Sequence, residues 1–266
     1  MADLYPFKDK VIAITGASRG TGLATARYLL LRGAKVSMCA TSAENLAKAV
    51  SGIEQDIPNV QGRIMTHIVD VCKPEEVKAW IDATVARWGP LDGAANIAAK
   101  MGPRIWPIEL LPVEDLNEML QVNVVGVFNC LKEQMKNMKS GGSIVNCGSQ
   151  QVQHASGLMS AYAASKNAVT GLTMSAAYEG SAKGIRVNLL SPGCIATDMI
   201  EQPLQLPNGQ HFTMTEDENL TSLIKRFSKP EEIAASIAFL LGDECPFITR
   251  EEIKVQGGWL ESNYVG

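Results

Sequence analysis

The chain has 266 residues, 46% of them apolar and 20% charged, and carries a net charge of −4. That balance belongs to a globular protein and excludes a disordered or fibrous one, and with no basic block it argues against binding a nucleic-acid backbone. No apolar run reaches the roughly 18 residues of a membrane span, and Met1 to Lys10 lack the apolar core of a signal peptide, so the cytoplasm is the expected location.

The first predicted element is a buried strand at Val11-Ile-Ala-Ile14. Thr15-Gly-Ala-Ser-Arg-Gly-Thr-Gly22 follows at once, Leu23 to Leu31 reads as a helix closed by Gly33, and Lys35 to Cys39 reads as the next strand. In such a β-α-β unit, glycines at the strand-to-helix turn let the chain bend tightly and let backbone N–H groups approach a pyrophosphate. Gly16, Ser18, Arg19, Gly20, Thr21 and Gly22 are therefore candidate cofactor contacts, although their spacing differs from Gly-x-Gly-x-x-Gly.

Further along come a helix near 43–55, a strand near 63–69, a helix near 74–88 and a strand at Gly93-Ala-Ala-Asn96. A long helix near 113–138 precedes the strand Ser143 to Cys147, an alanine-rich helix over 160–180 and the strand Ile185 to Leu190. A helix near 230–241 and a strand near 252–256 end the pattern. Alternating strands and helices predict an α/β fold, a doubly wound parallel sheet in three layers. Neither a repeat nor a linker divides it, so residues 1–266 are expected to form a single domain. Ligands of such sheets bind beyond the carboxyl ends of the strands, where strand order reverses.

The six cysteines are scattered and the three histidines lack ligand spacing, so buried thiols and no metal site are expected.

Tyr162 and Lys166 stand four residues apart on the alanine-rich helix, thirteen residues beyond Ser149. An i, i+4 pair shares one helical face. A phenol alone is a poor acid–base group near neutrality, and an ammonium held beside it favours the phenolate. A hydroxyl such as that of Ser149 would then share the substrate oxygen.

With the glycine loop, serine, tyrosine and lysine in this order, the chain resembles the short-chain dehydrogenase/reductase family, over essentially its whole length. The resemblance includes Asp70 after the third strand, Asn96 after the fourth, Asn123 in the next helix, and Pro192-Gly193 after the sixth. It implies a Rossmann fold, with Ser149, Tyr162 and Lys166 catalytic and Asn123 holding a water through a local distortion of its helix. It further implies that Asp70 and Val71 meet the adenine, while Asn96, Tyr162, Lys166, Pro192, Gly193, Ile195 and Thr197 contact the remaining cofactor. Family members often pair equivalent helices across subunits, which implies a homodimer or homotetramer. The small residues of the 160–180 helix serve equally for packing on their own sheet.

Cofactor choice turns on the end of the second strand. A carboxylate there would accept from both ribose hydroxyls and disfavour a 2′-phosphate, but the position holds Ala40, followed by Thr41 and Ser42. Arg19 supplies a cation. The expectation is NADP(H) over NAD(H), similar to NADPH-dependent ketoreductases. The competing roles are a capping box at Thr41-Ser-Ala-Glu44 and a solvated Arg19.

The resemblance also implies a substrate lid near 194–222. That segment carries Met199, Ile200, Leu204, Leu206, Phe212 and Met214, which fits a hydrophobic ketone or secondary alcohol and equally fits packing on the body. Gln150, His154 and Met159, with Gln151, are candidate substrate contacts, and Met101 and Trp106 lie in the loop after Asn96. Two sequences depart from the family pattern. Ala99 stands in Asn96-Ile-Ala-Ala99 where glycine is usual, and Arg250 follows Thr249 where glycine often does. The alternatives are an NAD(H)-dependent alcohol dehydrogenase, a C=C or C=N reductase (a class that generally has a longer Tyr-to-Lys spacing), and a catalytically silent nucleotide sensor.

Overall fold

The computed structural model describes residues 6–216 and 222–259. Strands β1 (Val11–Thr15), β2 (Lys35–Ala40), β3 (Ile64–Ile68), β4 (Leu91–Asn96), β5 (Met138–Cys147) and β6 (Arg186–Pro192) belong to the main sheet. Short strands β7 (Leu204–Gln205) and β8 (His211–Phe212) form a separate hairpin, and β9 (Glu252–Val255) completes the main sheet. The seven strands run in the order β3-β2-β1-β4-β5-β6-β9, all pairs parallel. Strand order reverses between β1 and β4, where Thr15 pairs with Asn96. The chain therefore folds as the expected doubly wound parallel sheet of Rossmann type.

Helices α1 (Gly20–Leu30), α2 (Ala43–Asp56), α3 (Pro74–Trp88), α4 (Val113–Leu120), α5 (Gly126–Asn137), α6 (Ser160–Gly180), α7 (Asp198–Glu201) and α8 (Pro230–Leu241) connect the strands. One core joins Leu29, Leu30, Ile53, Ile233, Ile237 and Leu241 from α1, α2 and α8 to one face of the sheet. Another joins Trp80, Ile81, Leu131, Val169 and Ala176 from α3, α5 and α6 to the opposite face. Apolar strands such as Val11–Thr15, buried throughout, are what a sheet covered on both faces requires.

The long helix expected near 113–138 is interrupted. Gln121–Val125 forms a π-helical turn between α4 and α5, and Asn123 is buried within it. Such a bulge adds a residue to the turn and loosens the backbone hydrogen-bond ladder, commonly at functional sites. The unforeseen hairpin β7–β8 leans on the loop after β4. Ile105 donates its N–H to Gln205 O at 3.1 Å, and Gln205 returns one to Pro103 O at 2.8 Å. Residues 217–221 of the lid segment lie outside the described residues.

Both departures from the family pattern have a local outcome. Ala99 has no positive φ, so its methyl forces no left-handed backbone. Arg250 does adopt φ +64°, the region glycine enters at no steric cost. Its N–H is fixed to Val187 O at 2.8 Å, so the conformation is imposed by pairing with β6. Arg250→Gly is expected to stabilise the protein by about 0.5–1 kcal/mol. Thermal denaturation would show a rise of about 1–4 °C; a fall would mean that the arginine side chain contributes more than its backbone costs.

The small residues of α6 are divided between two faces. Ala176 and Ala177 are buried in the core on the protein's own sheet and Ala163 is also buried, whereas Gly171 faces open space and Tyr178 is exposed.

Candidate active site

The turn after β1 and the loop after β4 are tied together by Thr15, whose hydroxyl accepts from Ile97 N at 2.9 Å and Ala98 N at 3.0 Å. Between these loops and the ends of β2, β5 and β6 opens a cavity of about 530 Å3. Gly16, Ser18, Arg19, Gly20, Thr21 and Gly22 form one wall. Gly16 and Gly20 have φ of +65° and +52°, and a Cβ on Gly22 would lie 2.2 Å from Gly16 O. A Cβ-free cradle at the first turn of α1 is the shape a pyrophosphate needs, so the residues present fit a dinucleotide. Asp70, Val71 and Thr41 line the same cavity, as do Pro192, Gly193, Ile195 and Thr197.

Ser149, Tyr162 and Lys166 line the same cavity. Ser149 begins the 3₁₀ turn Gln150–Val152, and its hydroxyl accepts from Gln151 N at 3.3 Å. Its capping role and its place on the cavity therefore coexist. Lys166 is 3% exposed; its ammonium donates to Cys147 O at 2.9 Å and lies 5.7 Å from the centre of the Tyr162 ring. Burial fixes that charge beside the phenol, where solvent screens it little.

Four expected contacts lie elsewhere than on the cavity lining. Ser42 is spent as the N-cap of α2, accepting from Asn45 N at 3.2 Å, which moves the cap one residue beyond Thr41 and leaves Thr41 to the cavity. Asn96 is buried, donating to Gln134 Oε1 and Asn146 Oδ1, each at 2.9 Å. Asn123 accepts from Lys100 N and donates to Lys100 O and Ser165 Oγ, each at 2.9 Å. It thus ties the loop after β4 to the helix that carries Tyr162 and Lys166. His154 is not on the lining, whereas Gln150, Met159 and Met199 are, with Met101, Val122, Ile200 and Met214 extending the apolar part. Leu204 is buried, Phe212 is exposed, and Trp106 lies off the cavity.

Sequence reasoning overlooked Asp198. Its carboxylate, at the start of α7, lies 3.3 Å from Arg19 Nη1, with both side chains more than half exposed. Such pairs contribute only about 0–1 kcal/mol, so the guanidinium is easily released to a better anion.

All six cysteines are free. Burial pushes the cavity thiols Cys147 and Cys194 up, opposed by the Lys166 charge at the first and by the Gln150 hydrogen bond at the second. Cys72 is pushed up to about 11 by burial and by its hydrogen bond and charge interaction with Asp70. None of these three is disposed to be a thiolate nucleophile near neutrality. Among the described residues no group of three or more His, Cys, Asp or Glu side chains is placed to hold a metal ion, and no helix is long and apolar enough to cross a membrane.

Comparison with known proteins agrees with this geometry. The family described as enoyl-(acyl carrier protein) reductase matches residues 16–260. A short-chain dehydrogenase/reductase, aba4, of Botryotinia fuckeliana is 36% identical over 257 residues, covering 96% of this chain and 98% of the relative. Levodione reductase of Leifsonia aquatica is 33% identical, covering 95% and 94%. The crystal structure of a short-chain dehydrogenase from Burkholderia cenocepacia in complex with NADP superposes with a TM-score of 0.83 at 30% identity, covering 95% and 98%. The glycine cradle, the Ser149, Tyr162 and Lys166 wall and these full-length likenesses converge: the chain is an oxidoreductase of the short-chain dehydrogenase/reductase family.

Proposed function

We propose that the protein is an NADP(H)-dependent reductase of ketones, or in reverse a dehydrogenase of secondary alcohols, acting on a hydrophobic small molecule. The observation that carries this reading is the meeting of Ser149, Tyr162 and buried Lys166 on the lining of one cavity together with the glycine cradle. When bound, the nicotinamide supplies hydride to the carbonyl carbon or takes it from the alcohol carbon. The protein supplies the rest. Ser149 Oγ donates a hydrogen bond to the carbonyl oxygen and places it. Tyr162 Oη gives its proton as that oxygen becomes an alkoxide. Lys166 stabilises the resulting phenolate and binds the nicotinamide ribose hydroxyls. The π-helical turn at Asn123 would hold the water that returns a proton from solvent to this pair. In this reading Asp70 and Val71 hold the adenine, Pro192, Gly193, Ile195 and Thr197 border the nicotinamide, and Met159 and Met199 face the substrate.

Support for NADP(H) comes from the missing acid at Ala40, from Arg19 and Thr41 on the cavity, and from the NADP-bound structural relative. The whole described fold acts as one cofactor-binding and catalytic domain, with residues 194–222 as lid. Assembly as a homodimer or homotetramer is supported by exposed Phe128 on α5 and Tyr178 on α6, and a cytoplasmic setting suits the free thiols.

Titrating the protein with NADPH and NADH, following bound-cofactor fluorescence, tests the cofactor. NADPH should bind more tightly, and Arg19→Ala should weaken it by about 10–100-fold while changing NADH far less, since a charged hydrogen bond is at stake. Equal or NADH-favouring binding would assign Arg19 to Asp198 rather than to a 2′-phosphate, making the enzyme an NAD(H)-dependent dehydrogenase.

A further inference from the structure

Arg19 stands between two places that compete for a cation. On one side the glycine loop is fastened to β2, Ala17 donating its N–H to Cys39 O at 3.0 Å. That bond brings Arg19, two residues on, towards the strand end at Ala40 and Thr41, where an adenosine ribose would lie. On the other side the loop touches the root of the lid segment, since a Cβ on Gly20 would lie 3.2 Å from Thr197 Cγ2. The guanidinium is turned to this second side, where Nη1 lies 3.3 Å from Asp198 Oδ2.

Arg19 and Asp198 both line the cavity, and the other charged groups on the lining are engaged elsewhere. Lys100 pairs with Glu118, Lys166 donates to Cys147 O at 2.9 Å, and the Asp70 carboxylate accepts from Cys72 N at 3.0 Å. Arg19 is thus the cation left for a 2′-phosphate, and it is held by a carboxylate. The two side chains are 59% and 64% exposed, so water screens their attraction and the pair is readily broken. A phosphate group carries more negative charge than a carboxylate and offers more acceptor oxygens to a guanidinium. It takes Arg19, but only by displacing Asp198.

We propose that Asp198 is a specificity-determining residue, which competes with the 2′-phosphate of NADP(H) for Arg19 and so lowers the preference for NADP(H) over NAD(H). The inference rests on the reading above, in which Arg19 meets that phosphate. NAD(H) carries a hydroxyl at the same carbon and leaves the pair intact. Apparent affinity falls in proportion to the fraction of protein whose site is ready for the ligand. An exposed ion pair leaves Arg19 free in about a half to a sixth of the molecules, so NADP(H) binds about two- to sixfold more weakly than it would without the carboxylate.

The test is a double-mutant cycle on the intact protein, titrating the natural form, Arg19→Ala, Asp198→Asn and the double variant with NADPH and with NADH. Asp198→Asn should tighten NADPH by about two- to sixfold and leave NADH unchanged, with no gain from the same substitution once Arg19 is alanine. Adenosine 2′,5′-bisphosphate, which lacks the nicotinamide half, should show the same gain, and adenosine 5′-monophosphate none. A gain shared by NADPH and NADH, or one that persists beside Arg19→Ala, would make Asp198 a general repulsive charge near the phosphates and overturn the inference. Weaker NADPH binding in Asp198→Asn would also overturn it, because the carboxylate would then orient Arg19 for the phosphate. Arg19→Ala selective against NADPH with Asp198→Asn silent overturns the inference and leaves the NADP(H) reading standing. Arg19→Ala affecting both cofactors alike removes that reading itself, and the inference falls with it.

Discussion

Tyr162→Phe is expected to lower turnover by about 10²–10⁴-fold while leaving cofactor affinity and thermal stability close to those of the natural protein. The substitution removes a single oxygen from a half-buried ring and leaves the packing of α6 alone. What it takes away, in the proposed mechanism, is the proton that meets the developing alkoxide. Lys166 keeps its hydrogen bond to Cys147 O, so the buried cation remains but has no phenolate to stabilise. Steady-state assays on a panel of hydrophobic ketones, followed by cofactor absorbance, would measure the loss. A decrease of only a few-fold would mean that the proton comes from another group. A natural protein that binds cofactor but turns over no ketone, with biological activity unaffected by Tyr162→Phe, would favour the nucleotide-sensing alternative.

Much of this architecture is legible in the sequence, because the relevant signals are local. Short apolar runs bounded by glycine loops mark β1, β2, β4 and β6, and prolines at 74 and 230 mark the starts of α3 and α8. Glycines 16, 20 and 22 point to a phosphate cradle because their chemistry is backbone chemistry, fixed within a single turn. Features that depend on distant neighbours were beyond reach. The π-helical turn at Gln121–Val125 leaves the apolar pattern of 113–138 unbroken, and only the family resemblance anticipates a distortion there. The hairpin β7–β8 is defined partly by its contacts with Pro103 and Ile105, about a hundred residues earlier. The helix cap falls on Ser42 rather than Thr41, a one-residue choice between two hydroxyls that local sequence leaves undecided. The pairing of Arg19 with Asp198, and the space that Gly193 leaves for the Gln150 amide, exist only once β1, β4, β5 and β6 are assembled in one sheet.

Gly22→Ala should abolish detectable cofactor binding, or weaken it by at least about 100-fold, through a single added methyl group. At this position the new Cβ would lie 2.2 Å from Gly16 O, 2.7 Å from Gly16 C and 3.0 Å from Ala17 Cα. All three are backbone atoms, so no side chain can rotate away to relieve the contact. Gly16 cannot retreat cheaply either, since its own Cβ position lies 3.0 Å from Ala98 backbone atoms and the Ala98 N–H is held by Thr15. The loop must therefore open, and the N–H groups proposed to hold the pyrophosphate would lose their common focus. Overpacking of this kind costs about 1–3 kcal/mol of folding stability or more, whereas the phosphate site loses several oriented donors together. Binding should consequently suffer more than folding. Fluorescence titration and thermal denaturation of the same preparation would separate the two, with Gly171→Ala as a control because that glycine on α6 faces open space. The control should bind cofactor normally and melt slightly higher, as alanine favours a helix over glycine. If Gly22→Ala bound cofactor like the natural protein, the turn after β1 would not be the phosphate cradle, and the cofactor would have to lie elsewhere along the carboxyl edge of the sheet.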